Sequence, residues 1–325
     1  MKGAGRQKND LTVPLLVGGL AVLAAELGLQ SYRHSQIFLP AHDPVKSWDP
    51  RDYGIPLEAV EEHWIETPDG ELLNAWYCRS EKPVASALFC HGNTGNLTTS
   101  ADVVPHLLAA GLNVLVFDYR GFGKSSGKAS YAGVIADGVT AARFHDRIRP
   151  AHLPPVLYGF SLGGAIGAQV LRRHRFDAVI LQSTFSSLSS LTRVLHPRMP
   201  LHLLAGDLFD TLSVIRRLTV PLLVLHGTED EVIPRWMAHE LFDTCQSPMK
   251  RVHYVEGGLH KDLFQRDPDS LIWAISQFLA ELPRDQRLTF SVEETPLVEQ
   301  WKASALRAWR RMFRRRTSVI ASAAR

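Results

Sequence analysis

The chain has 325 residues, 45% of them hydrophobic and 21% charged, a balance that excludes a disordered or collagen-like protein and allows a sizeable buried core. Its formal charge of +3 is too small for a whole-surface field that would recruit nucleic acid, so any basic partner site must be local. Three cysteines, Cys78, Cys90 and Cys245, are too few and too scattered for a disulfide framework or a zinc cluster, and the first two lie in apolar, strand-like runs that read as buried packing.

From the amino terminus, Lys2, Arg6 and Lys8 are followed by residues 11–29, a nineteen-residue run whose one charge is Glu26. A bilayer takes roughly twenty apolar residues and a signal-peptide core about 7–15, so the run sits between the two. Val22-Leu23-Ala24 is only a fair cleavage site, which makes an uncleaved single-pass anchor over 1–30 the expectation. The positive charges ahead of it, opposed by Arg33, orient the rest of the chain to the non-cytoplasmic side. Residues 31–58 read as a linker.

From 59 to 283, short apolar runs alternate with helical periods, the pattern of an α/β protein whose mostly parallel sheet is covered by helices on both faces. Runs 63–67 and 71–78 read as a hairpin around Asp69-Gly70, and 86–90, 113–117, 155–158, 178–181, 221–225 and 251–255 bring the sheet to eight strands. Residues 101–110, 131–145, 162–174, 234–242 and 270–279 carry helical spacing. Residues 184–218 interrupt the alternation and read as a short helical cap over the sheet, made apolar by Phe185, Leu188, Leu191, Leu195, Met199, Leu201 and Leu204. Residues 284–325 are a linker and a basic tail. Within 297–316, Leu297, Trp301, Leu306, Trp309, Met312 and Phe313 gather on one half of a helical wheel and Arg307, Arg310, Arg311 and Arg314 on the other, although Lys302, Arg315 and Arg316 fall inside the apolar arc. A helix lying on anionic lipid has this composition.

The chemistry is concentrated at strand ends. Pro155-Val-Leu-Tyr-Gly159-Phe160-Ser161-Leu162-Gly163-Gly164 joins an apolar strand to a helix through Gly-x-Ser-x-Gly, in which small residues two positions either side of the serine permit a strained turn that lifts its hydroxyl out of the sheet. The plain alternative is a helix-capping serine, and the strand-before, helix-after context favours a nucleophile. A serine needs a base, and the base an orienting acid, in the order Ser, Asp or Glu, His. The strand 221–225 runs into His226-Gly227-Thr228-Glu229-Asp230-Glu231, where spacing alone does not choose among three acids. His260, beside Gly257-Gly258, is the histidine among fourteen that follows this turn and lies just past the last strand. For an oxyanion hole, the loop His91-Gly92-Asn93-Thr94-Gly95 after strand 86–90 nominates the backbone N–H of Asn93, to act with that of Leu162. Gly121-x-Gly123-Lys124-Ser125 lacks the upstream glycine of a phosphate loop and reads as a structural turn, with Asp118 and Arg120 bracing loops.

Taken together, His91-Gly92-Asn93, Asp118-Tyr119-Arg120-Gly121-Phe122-Gly123, Gly159-Phe160-Ser161-Leu162-Gly163, His226-Gly227-x-x-Asp230-x-x-x-Pro234 and Gly257-Gly258-x-His260 make residues 64–279 resemble the Bem46-type, abhydrolase-domain branch of the α/β hydrolases, also described as serine aminopeptidase-like or lysophospholipase-like. The resemblance implies an α/β-hydrolase fold, Ser161 as nucleophile, Asp230 as acid, His260 as base, no cofactor or metal, and an amino-terminal membrane helix. A carboxylic-ester or lipid-acyl hydrolase is the first expectation, a thioesterase the second and a peptidase the third. The apolar insertion, with no dense set of acids to bind a free amino terminus, suits an acyl substrate, and the intact triad argues against a non-enzymatic scaffold. The expected partners are an acyl ester or thioester and membrane lipid.

Overall fold

The computed structural model describes residues 37–198, 206 and 208–283. Contacts divide the chain after Leu39, and everything below belongs to the unit that begins at Pro40. Its frame is one eight-stranded sheet: β1 (Val60–Glu66), β2 (Leu72–Cys78), β3 (Ala85–Cys90), β4 (Leu112–Phe117), β5 (Pro155–Phe160), β6 (Ala178–Gln182), β7 (Leu222–Gly227) and β8 (Lys250–Val255). Across the sheet the order is β8-β7-β6-β5-β3-β4-β2-β1, with β1 antiparallel to β2, β2 antiparallel to β4, and every other pairing parallel. The expected hairpin turns at Gly70, whose φ of 88° suits glycine.

Strands β3 to β7 are apolar runs because both of their faces are covered. Side chains alternate across a strand, so Ala85, Ala87 and Phe89 of β3 join a core with Val104, Leu107, Ile275 and Phe278, while Ser86 points the other way and its hydroxyl meets the His145 ring at 2.7 Å. The first face is covered by helices α1 (Val104–Ala109) and α8 (Pro268–Ala280), and the second by α2 (Tyr131–Ile148), followed by α3 (Leu162–Leu171). Each fully buried Leu, Val or Phe in these layers stabilises by about 1.5–3 kcal/mol. Every residue of α3 is buried, which brings its glycines into close approach: a Cβ at Gly167 would fall 2.9 Å from Leu157.

Differences from the sequence reading are local. The helix expected over 101–110 opens as a 3₁₀ turn at Ala101–Val103, and the one expected to reach 174 stops at Leu171. The short helices α5 (Thr211–Ile215) and α7 (Leu263–Arg266) have no periodicity to announce them, whereas α6 (Arg235–Thr244) falls on the helix expected over 234–242. Within the stretch read as a linker, Tyr53 and Ile55 are buried in the core beside Trp76. The stretch expected to form a cap holds, among its described residues, α4 (Leu188–Leu195), which starts at Ser187, whose side chain accepts the Ser190 N–H. Leu188 and Leu191 are buried, Val194 and Leu195 are exposed, and Met199, Leu201 and Leu204 lie outside the described residues. So do residues 11–29 and 297–316; among the described residues no helix is long and apolar enough to cross a membrane.

Candidate active site

The carboxyl ends of β3, β5 and β7 converge, and the loop after β8 folds back onto them. At the end of β5, Ser161 has φ 54° and ψ −122°, a conformation that non-glycine residues seldom hold. It is pinned at both ends: its N–H donates to Gln182 O at 2.9 Å, and its carbonyl accepts from Gly164 N at 3.0 Å and Thr184 Oγ1 at 2.6 Å. Close approach explains the flanking glycines. A Cβ at Gly159 would fall 2.4 Å from Gly164 Cα, and one at Gly163 would fall 1.9 Å from the Cys90 carbonyl oxygen.

His260, from the loop after β8, places Nε2 3.0 Å from Ser161 Oγ and Nδ1 2.9 Å from Asp230 Oδ2. A carboxylate only accepts, so Nδ1 carries the hydrogen and Nε2 presents its lone pair to the serine hydroxyl. Ser161 and His260 are 7% and 4% exposed, so the pair is largely withdrawn from water. The Phe160 ring lies 5.4 Å from the imidazole, packing against it.

Asp230 is the acid that the turn selects. Its Oδ1 accepts the N–H groups of Val232 at 2.9 Å and Ile233 at 2.7 Å, a reach that suits the short aspartate side chain. Burial pushes its pKa up, but the hydrogen bond and charge of His260, the Ile233 N–H and the nearby His226 outweigh that, and the net shift is downward. Glu231, which spacing did not single out, accepts the backbone N–H of His260 at 3.0 Å. Glu229 contributes its backbone instead, donating to Gly258 O at 3.0 Å. Gly227 lets these two loops touch, since a Cβ there would fall 2.1 Å from Gly258 O.

Gly92 faces the serine: a Cβ on it would lie 3.7 Å from Ser161 Cβ. Asn93 follows directly, and Leu162 opens α3, where its N–H has no acceptor within the helix. Asp118 and Arg120 stay out of this cluster. Asp118 accepts the Leu97 N–H at 2.5 Å, and Arg120 pairs with Asp137 at 2.7 Å and Asp69 at 2.7 Å, tying the hairpin to α2. Burial pushes the Cys78 and Cys90 thiols up to about 12, so neither supplies a thiolate near neutral pH. Among the described residues no group of three or more His, Cys, Asp or Glu is placed to hold a metal ion.

This arrangement can pass a proton from a serine hydroxyl to an imidazole oriented by a carboxylate. Comparison with known proteins agrees with the fold. Residues 88–209 match the family model for the alpha/beta hydrolase fold, and 204–267 match that for serine aminopeptidase, S33. An uncharacterized protein of Mycobacterium tuberculosis is 31% identical over 77% of this chain and 88% of its own length. Protein bem46 of Schizosaccharomyces pombe is 28% identical over 82% of this chain and 92% of its own. Alpha/beta hydrolase domain-containing protein 17B of Xenopus tropicalis is 33% identical over 63% and 71%. Among solved structures, an esterase of Pyrococcus furiosus superposes with a TM-score of 0.60 at 19% identity, covering 75% of this chain and 97% of that one. The ferulic acid-bound Est1E of Butyrivibrio proteoclasticus gives 0.57 at 19% identity, covering 68% and 98%. By the likeness of its relatives along most of their length, the chain belongs to the alpha/beta hydrolases.

Proposed function

We propose that the protein hydrolyses a carboxylic ester, of a lipid or a small acyl group, through an acyl-enzyme on Ser161. The observation that carries the reading is the continuous hydrogen-bonded line from Ser161 Oγ through His260 to Asp230, 3.0 and 2.9 Å long in its two links. Ser161 Oγ attacks the acyl carbon while its proton moves to His260 Nε2, and Asp230 stabilises the imidazolium. The N–H groups of Asn93 and Leu162 hold the oxyanion. Collapse of the tetrahedral intermediate expels the alcohol, which takes the proton from His260. Water, deprotonated by the same ring, then releases the acid and restores Ser161.

A thioester would pass through the same acyl-enzyme, so the test compares both. Full-length protein is treated with a fluorophosphonate, then assayed on p-nitrophenyl esters from acetyl to palmitoyl and on matching thioesters. The expectation is serine labelling, ester turnover exceeding thioester turnover, and loss of both labelling and turnover in Ser161→Ala, with kcat down by about 10⁶. Undiminished labelling of a folded Ser161→Ala protein overturns the nucleophile. Membrane lipid enters as a second partner in this proposal, through residues 11–29 as an anchor on whose non-cytoplasmic side the domain lies, and through the basic tail 297–316. Co-sedimentation of protein lacking 1–30 with neutral and anionic vesicles isolates the tail, and equal binding to both removes its charge-based role.

A further inference from the structure

The proposed oxyanion donors, the N–H groups of Leu162 and Asn93, belong to peptide units whose carbonyls are those of Ser161 and Gly92. A trans peptide is planar, so its C=O and N–H point in opposite directions, and holding one aims the other. In both units a buried side chain holds the carbonyl. Thr184 Oγ1 donates to Ser161 O at 2.6 Å, and His91 Nδ1 lies 2.9 Å from Gly92 O. A carbonyl only accepts, so Nδ1 of His91 carries the hydrogen.

We infer that Thr184 and His91 are positioning residues that aim the two oxyanion donors, an inference that rests on the ester-hydrolase reading above. Thr184 lies two residues beyond Gln182, the last residue of β6, whose carbonyl accepts the Ser161 N–H, so one short segment, 182–184, grips the strained serine from both sides. The sequence carries a trace of this grip. Gly-x-Ser-x-Gly is complete at Gly163, yet Gly164 is a glycine too, and a Cβ there would fall 1.8 Å from Thr184 Oγ1. On the other side, His91 is fixed by the rings of Tyr119 at 4.5 Å and Phe122 at 5.3 Å, and the Tyr119 hydroxyl donates to its carbonyl at 3.2 Å. Both side chains act on the backbone next to the reacting atoms.

Removing the Thr184 hydroxyl does not orphan a polar group, because Ser161 O still accepts the Gly164 N–H at 3.0 Å. Thr184→Val therefore keeps the fold and loses aim. Loss of a whole oxyanion donor costs about 10²–10³ in kcat, so a donor that is present but less firmly held costs roughly tenfold. The experiment measures kcat and KM on a p-nitrophenyl ester, and the inhibition constant of an alkyl boronic acid that forms a tetrahedral adduct with the serine, for wild type, Thr184→Val and Thr184→Ser. We expect Thr184→Val to lower kcat roughly tenfold with KM unchanged and to weaken the boronic acid in proportion, and Thr184→Ser to restore both. A purely structural residue would not move the tetrahedral mimic selectively. His91→Asn, which keeps an N–H donor, against His91→Leu is the parallel pair for the second donor; if the leucine variant does not fold, the Thr184 pair decides. Wild-type kcat and inhibition in Thr184→Val, or a loss that serine fails to restore, overturns the inference while leaving a dead Ser161→Ala to support the reaction itself. Wild-type protein that neither labels nor turns over ester overturns both.

Discussion

Two aspartate–histidine pairs lie buried at the carboxyl edge of this sheet, and they differ in what their carboxylates receive. Asp230 and Asp118 both have side chains with no exposure. Asp230 accepts two backbone N–H groups on one oxygen and the His260 ring on the other. Asp118 accepts one backbone N–H, its Oδ1 stands 3.4 Å from His91 Nε2, and its Oδ2 has no hydrogen-bond partner among the described residues. The pKa of Asp230 is accordingly lowered. That of Asp118 is raised, because burial outweighs the His91 and Leu97 contacts. Neither side chain is exposed, but Asp118 lies the deeper of the two and receives fewer donors, so heavier desolvation and weaker pairing together raise its pKa where that of Asp230 is lowered, and only a dependable anion can orient an imidazole and stabilise it when charged.

The largest expected effect breaks the comparison at its functional end. Asp230→Asn keeps a side chain of the same size but takes away the anion, and kcat falls about 10⁴-fold. Asp118→Asn still offers an oxygen to the Leu97 N–H and is out of line with Ser161, so kcat falls by roughly tenfold or less. Steady-state kinetics on one ester with both variants checks this, and equal losses would sink the distinction between the two pairs.

A smaller effect tests the neighbouring acid. Glu231 holds the His260 backbone through a single hydrogen bond at 3.0 Å, and such a bond contributes about 1 kcal/mol, roughly fivefold in rate. Glu231→Ala should lower kcat by about that factor, Glu231→Gln should restore most of it because an amide oxygen also accepts, and Glu229→Gln should leave kcat as it is. If Glu229→Gln gives the larger loss, the turn has been misassigned.

Much of this edge could be read in the sequence, and the part that could not has a common physical form. Strands β3 to β7 are legible because burial on both faces leaves a continuous apolar run, and the elbow is legible because the steric demands on Gly159 and Gly163 come from the turn itself. The choice of Asp230 over Glu229 and Glu231 was supplied by resemblance. A local signal for it existed, since an aspartate can reach the N–H groups two and three residues on, as its bonds to Val232 and Ile233 show. Glu231 and Thr184 left no signal of their own, because each acts on backbone atoms 29 and 23 residues away in sequence. Composition and periodicity report where side chains are buried and say little about which distant main-chain group one of them holds.

The last prediction separates the two pairs by the sign of their effect on stability. For Asp230 the folded pKa lies below the unfolded value of about 3.9, so folding favours the ionised form. Its contribution is complete above pH 4 and is lost as pH falls through the folded pKa. For Asp118 the folded pKa lies above the unfolded value, so folding favours the protonated form, and its contribution is complete below about pH 4 and lost as pH rises through the folded pKa. Asp230→Asn and Asp118→Asn each remove one titration, so the difference in Tm between wild type and variant isolates it. Wild type minus Asp230→Asn should therefore shrink as pH drops below 4, while wild type minus Asp118→Asn should shrink, and can change sign, as pH climbs above 4. His260 and His226 face Asp230, and His91 and Lys124 lie near Asp118, so each curve reports its aspartate together with these neighbours. Thermal unfolding of the three proteins at half-unit steps gives both curves, and parallel slopes would mean that the unpartnered oxygen of Asp118 does not set its protonation.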